Sequence, residues 1–254
     1  DMNALIQASR EALLAAVKGA AATLPLSAVT LLAPIPRPRQ DVICLGINYK
    51  AHTEEAARYS SEAFTKERPI PINFSKRVTE AVAPEGDIES HPGLVERLDY
   101  EAELAVIIGK TAKNVMAEDA ADYIFGYTVL NDVSARVLQT AHKQWYFGKS
   151  LDGFTPIGPC IVTADEIVFP PALHITARVN GELRQDSTTD LLITSIADII
   201  EELSSGMTLL PGTIISTGTP SGVGMGFDPP KFLKPGDVVE CTIDGIGTLR
   251  NTVR

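Results

Sequence analysis

Three acidic residues are the best placed to do chemistry. Glu101 and Glu103 stand two apart in YEAELAVIIGK. In a strand, whose side-chain period is two, both carboxylates project from one face. Leu104 to Ile108, just beyond them, are almost wholly apolar, the pattern of a strand buried on both faces. Two carboxylates at the mouth of such a strand repel each other unless a cation lies between them. Asp132, in VLNDVSAR, ends another apolar run and offers a third carboxylate. Three hard oxygen ligands without sulfur suit Mg2+ or Mn2+ and leave positions for water and substrate. Spacing alone leaves a second reading open, in which Glu101 and Glu103 face solvent on an edge strand.

The elements that must hold these acids are mostly strands. Residues 3–22, rich in Ala and Leu, are predicted to form one amphipathic helix. APIPRPRQ follows as an extended connector, because proline fixes φ and carries no backbone donor. The chain is therefore expected to divide into a small region, 1–40, and a catalytic domain, 41–254. DVICLGINY reads as a short buried strand. Residues 50–68 are charged, with few large apolar side chains, so they bury little and fit a mobile lid or a solvated helix. From about residue 98 strands and tight turns dominate. LHITARVNGELRQ carries an Asn-Gly hairpin signal, and GTIISTGTPSGVG and GDVVECTIDGIGTLRN look like strands closed by glycine turns. One helix interrupts them. Ile196, Ile199, Ile200 and Leu203 follow helical spacing, Thr194 or Ser195 caps the start, and Gly206 ends it. The succession is that of a β-rich α+β domain, not a run of βαβ units.

Composition narrows the partners. The 254 residues carry a net charge of −10, which repels phosphate backbones, so no nucleic-acid partner is expected. The N-terminal apolar stretch is interrupted by Arg10, Glu11 and Lys18, so neither a signal peptide nor a membrane partner is expected. Cys44, Cys160 and Cys241 lie far apart without metal-ligand spacing. Reduced thiols in a cytoplasmic protein are the simplest reading.

Seven motifs in order, GINYKAHTEE, LDYEAELAVIIGK, FGYTVLNDVSARVLQ, GKSLDGFTPIGP, VNGELRQ, LLPGTIISTGTPSGVG and LKPGDVVECTIDGIGTLRN, resemble the fumarylacetoacetate hydrolase family from about Asp41 to the end. The resemblance implies a mixed β-sandwich roll of the kind found in that family's C-terminal domain. It also implies a metal site of Glu101, Glu103 and Asp132 holding Mg2+ or Mn2+, with Ca2+ as a substitute. By the same resemblance His52 and Glu55 form a general-base pair on a lid, where composition alone would put a surface ion pair. Lys149 becomes an active-site cation, and Lys76, Arg136, Gln139, Gly218 and Thr219 fall at substrate-side positions. Thr217-Gly218-Thr219 is then expected to offer donors to a substrate carboxylate. The chain departs from the family pattern at Val137, where Asp is frequent, which bears on the ion pairs around Arg136. No role falls to His142 or Trp145, and His91 and His174 read as structural or exposed.

The function implied is C–C bond hydrolysis of an acylpyruvate- or fumarylacetoacetate-like 2-oxo acid by a homodimer. The alternatives are decarboxylation or keto–enol isomerisation of a 2-oxo dicarboxylate of the oxaloacetate or 2-hydroxyhepta-2,4-diene-1,7-dioate type, a neighbourhood of aromatic catabolism. A non-catalytic metabolite-binding member is a further reading. The presence of the acids, the His–Glu pair and Lys149 weighs against it.

Overall fold

In the computed structural model, which describes residues 2–8, 10–18, 20, 24–56 and 71–254, thirteen strands follow one another. They are β1 (Val42–Gly46), β2 (Ile72–Lys76), β3 (Asp87–Ile88), β4 (Leu98–Asp99), β5 (Ala102–Ile108), β6 (Ile124–Asn131) and β7 (Ser134–Ala135). There follow β8 (Ile157–Thr163), β9 (His174–Val179), β10 (Glu182–Thr188), β11 (Ile214–Ser216), β12 (Val238–Ile243) and β13 (Gly247–Val253). A six-stranded sheet runs β2-β1-β11-β5-β6-β8, and a five-stranded sheet runs β10-β9-β12-β13-β3. Both are mixed: β1 pairs with β11, and β13 with β3, in parallel, while the other pairs are antiparallel. The fold is thus a β-rich α+β sandwich, as expected.

Every residue of β5 is buried, because both of its faces are covered. Leu104, Val106 and Ile108 share the inter-sheet core with Ile175, Ala177, Val239 and Cys241. Ala105 and Ile107 point the other way, into a second cluster with Val42, Cys44, Leu130 and Ile35. Alternation therefore puts Glu101 and Glu103 on that second face, outside the sandwich interior.

The N-terminal region differs from its prediction. Among the described residues of 3–22, two helices stand in place of one, α1 (Met2–Ile6) and α2 (Arg10–Lys18). Ile6 docks into the second cluster, but Leu5 and Val17 remain 41% and 70% exposed. The proline segment does not run straight either. It bends over residues 34–37 and places Ile35 in the core, fully buried.

Of the expected lid, residues 57–68 lie outside the described residues. Its start is helix α3 (Lys50–Ala56), which buries His52, Glu55 and Ala56 and leaves Lys50, Ala51 and Glu54 exposed. The Asn180-Gly181 turn joins β9 to β10 with φ of 52° and 80°, the left-handed pair that a two-residue hairpin needs. Helix α6 (Ile196–Gly206) buries Ile196, Ile199, Ile200 and Leu203. Its cap is Ser195, whose hydroxyl accepts from the Asp198 amide. The cysteines form no disulfide, and no helix among the described residues is long and apolar enough to cross a membrane.

Candidate active site

The acids are brought together by the pairing of β5 with β6, which sets Ala102 opposite Asn131 and Glu103 opposite Leu130. Just beyond the paired ends, the Asp132 amide donates to the Glu101 carbonyl at 2.9 Å, and the Glu101 amide donates to Asn131 Oδ1 at 3.0 Å. One oxygen from each of Glu101, Glu103 and Asp132 lies within 4.8 Å of the others. The three residues are 5%, 1% and 0% exposed. The solvent-facing alternative is excluded.

Cations surround two of the three acids. Lys149, the last residue of α5 (Tyr146–Lys149), lies 2.8 Å from Glu101 Oε2 and 2.7 Å from Asp132 Oδ2. Arg136, the first residue of α4 (Arg136–Ala141), lies 2.6 Å from Glu101 Oε1 and donates from Nη1 to Gln139 Oε1 at 3.1 Å. Burial alone would raise the Glu101 pKa, but Lys149, then Arg136 and His52, hold it well below the usual carboxylate range. The Lys149 pKa is raised: burial opposes its charge, and Asp132 and Glu101 outweigh burial. Arg136 also holds Asp99 at 2.9 Å, so it pairs with two acids without one at Val137, which is 38% exposed.

Glu103 is different. Its Oε2 accepts from Ser216 Oγ at 2.5 Å and from the Gly218 amide at 2.9 Å, but no ion pair reaches it among the described residues. Burial, then Asp132 and Glu101, push its pKa well up. A buried carboxylate that lacks a counter-charge, in a ring of hard oxygens, fits a divalent cation. The donor set therefore suits the metal that the motifs imply.

His52 and Glu55 share one face of α3, with Nδ1 to Oε2 at 2.9 Å, and are only 6% and 8% exposed. The other oxygen of Glu55 accepts from the Gly222 amide at 3.0 Å. The pair is buried, not a surface ion pair. His52, Glu101, Glu103, Arg136, Gln139, Lys149 and Thr219 all line one cavity of about 360 Å3, its open mouth included.

Lys76 and the turn at residues 217–219 make polar contacts within the protein. Lys76 does not line that cavity. Its ammonium donates to Asp132 Oδ1 at 2.5 Å and to the Val133 carbonyl at 3.1 Å. The Gly218 amide is spent on Glu103, and Gly218 adopts φ 100° with Asn48 packed against it. The Thr217 and Thr219 hydroxyls donate to the carbonyls of Leu104 and Ala102, both at 2.9 Å. Backbone groups tie this turn to β5 because buried polar atoms need partners.

Several residues around the site were not foreseen. Phe74 and Trp145 form one wall, edge to face at 5.2 Å, and Lys149 Nζ lies 5.3 Å from the Phe74 ring centre. Ser216 and Asp99 escaped too. Asp99 shares the strand parity of Glu101 and Glu103, a signal the sequence did contain.

The fold and site together are those of an enzyme built around a buried acidic triad. Residues 41–254 match the family model described as fumarylacetoacetate (FAA) hydrolase C-terminal, and the chain belongs to that family. It is 51% identical over 229 residues to oxaloacetate tautomerase YisK of Bacillus subtilis, covering 90% of this chain and 74% of the relative. Among solved structures it resembles a fumarylacetoacetate hydrolase from Exiguobacterium antarcticum at 40% identity and TM-score 0.82, covering 100% of this chain and 87% of that one. It also resembles a 2-hydroxyhepta-2,4-diene-1,7-dioate isomerase from Mycobacterium marinum at 41% identity and TM-score 0.75, covering 91% and 79%.

Proposed function

We propose that the protein tautomerises a small 2-oxo dicarboxylate between keto and enol forms, with oxaloacetate the first candidate. The observation that carries this reading is a buried imidazole–carboxylate pair opening on the same cavity as Lys149 and Arg136, in a chain 51% identical to an oxaloacetate tautomerase. A divalent cation held by Glu101, Glu103 and Asp132 would supply Lewis acidity toward a 2-oxo group.

The residues themselves divide the remaining work. Glu55 accepts from Nδ1 of His52, which leaves Nε2 as the basic nitrogen. His52 can then take a proton from the carbon beside the carbonyl and return it to oxygen, with no water consumed. Lys149 and Arg136 offset the negative charge that grows on the substrate oxygens as that proton leaves. Phe74 and Trp145 keep bulk water from one side, which strengthens those charge interactions.

Hydrolysis, the first reading of the motifs, becomes the second here. It keeps the support of the 40% identical Exiguobacterium protein, because the same base could activate water. One assay separates the two: enol absorbance and pyruvate release followed together, with oxaloacetate and with acylpyruvates, in Mg2+ or Mn2+. Tautomerisation should dominate, and His52→Ala should slow it by about 10²–10⁴-fold while Mn2+ affinity is kept. Cleavage of acylpyruvates faster than tautomerisation would overturn the proposal.

A further inference from the structure

Asp99 ends β4 fully buried, yet it neither lines the cavity nor belongs to the acidic triad. Each of its oxygens takes two donors. Oδ1 accepts from the amides of Tyr100 at 2.9 Å and Gly224 at 2.7 Å. Oδ2 accepts from Arg136 Nε and the Met225 amide, both at 2.9 Å. An Asn at this position, in either orientation, would turn its own NH2 against two of those donors.

The next two residues extend the same connection. The Tyr100 hydroxyl donates to the Gly222 carbonyl at 2.7 Å, and Glu101 receives the other end of Arg136. The loop so held is also the seat of Glu55. The Gly222 amide donates to Glu55 Oε1, and a Cβ on Gly226 would fall 1.7 Å from that oxygen.

We infer that Asp99 is a positioning residue that clamps residues 222–226 against Arg136 and, through Gly222 and Gly226, sets the carboxylate that orients His52. The inference rests on reading His52 and Glu55 as the proton-transfer pair. It places one buried acid in control of both halves of the site: the base pair through the loop, and the Glu101 ligand through Arg136.

A double-mutant cycle tests it. Asp99→Asn should lower kcat for tautomerisation by about 100-fold, the scale of a misplaced catalytic group. In a Glu55→Gln background the same change should cost no more than about tenfold, because the part exerted through Glu55 is already lost and only the part exerted through Arg136 remains. Losses that multiply would overturn the inference. Should Asp99→Asn fail to fold, Gly226→Ala takes its place. The nearest contacts of its new methyl group are all atoms of Glu55, and it should show the same sub-additivity. Hydrogen–deuterium exchange reads the coupling without substrate. Asp99→Asn should raise exchange in residues 50–56 as well as 221–226 and leave the β12–β13 hairpin unchanged. Wild-type exchange at 50–56 would overturn the coupling. Absence of wild-type turnover would sink the proposed function alone and leave the exchange result to decide Asp99.

Discussion

The ammonium of Lys76 lies 2.5 Å from Asp132 Oδ1, although three strands separate β2 from β6 in their sheet. A flat sheet could not bring them together, because neighbouring strands are spaced about 4.8 Å apart. The sheet must roll so that a cation from one edge reaches an acid just past the end of β6, the strand next to the opposite edge. Both side chains are completely buried. Removing one partner of such a pair leaves a buried charge uncompensated, at roughly 3–5 kcal/mol. Lys76→Met should therefore lower metal-free stability by about that much in urea denaturation. An unchanged midpoint would mean that Lys149 alone balances Asp132.

Two neighbouring acids should give stability opposite pH slopes. The Glu101 pKa is depressed in the fold. Its stabilisation is present above the ordinary carboxylate range and is lost as pH falls through the lowered value. The Glu103 pKa is raised. As pH climbs above about 4.3, the unfolded chain releases that proton while the folded chain keeps it, so stability falls until the folded group ionises. Metal-free protein should show this falling limb, and Glu103→Gln or saturating Mn2+ should remove it. Denaturation across a pH series checks the point, and an identical limb in Glu103→Gln would contradict it.

The aromatic wall is set by a missing side chain. A Cβ on Gly46 would lie 2.2 Å from Trp145 Cζ3, so Gly46→Ala must displace the indole from beside Phe74. With β1 otherwise intact, kcat/KM for the substrate should drop at least about tenfold, the discrimination scale of a reshaped apolar pocket. Steady-state kinetics together with Trp fluorescence would show both effects. Unaltered kinetics with a shifted fluorescence spectrum would remove Trp145 from the substrate wall.

The sequence revealed those parts of the molecule whose signal is local. The apolar run after Glu103 announced a doubly buried strand, Asn180-Gly181 its hairpin, and Ile196 to Leu203 the amphipathic helix. The convergence of Glu101, Glu103 and Asp132 was legible only in part: strand period put the two glutamates on one face, but spacing left a solvent-facing reading open, and the family resemblance carried the choice. What stayed hidden depends on tertiary contacts. Nothing in the spacing of Lys76 says that the sheet rolls far enough to spend its charge on Asp132. Thr217 to Thr219 looked available to a ligand because their partners, Glu103 and two carbonyls of β5, lie more than a hundred positions away. His52 and Glu55 sit in a charged stretch whose composition suggests solvent, whereas in the fold both are buried and Glu55 meets the loop at Gly222 and Gly226.

Diffraction from Mn2+-soaked crystals, with anomalous scattering, bears most directly on the acidic triad. A single peak should lie within about 2.0–2.3 Å of carboxylate oxygens from Glu101, Glu103 and Asp132, the range for hard-cation coordination, and should vanish in Glu103→Ala. A peak elsewhere, or one that persists in that variant, would contradict the site.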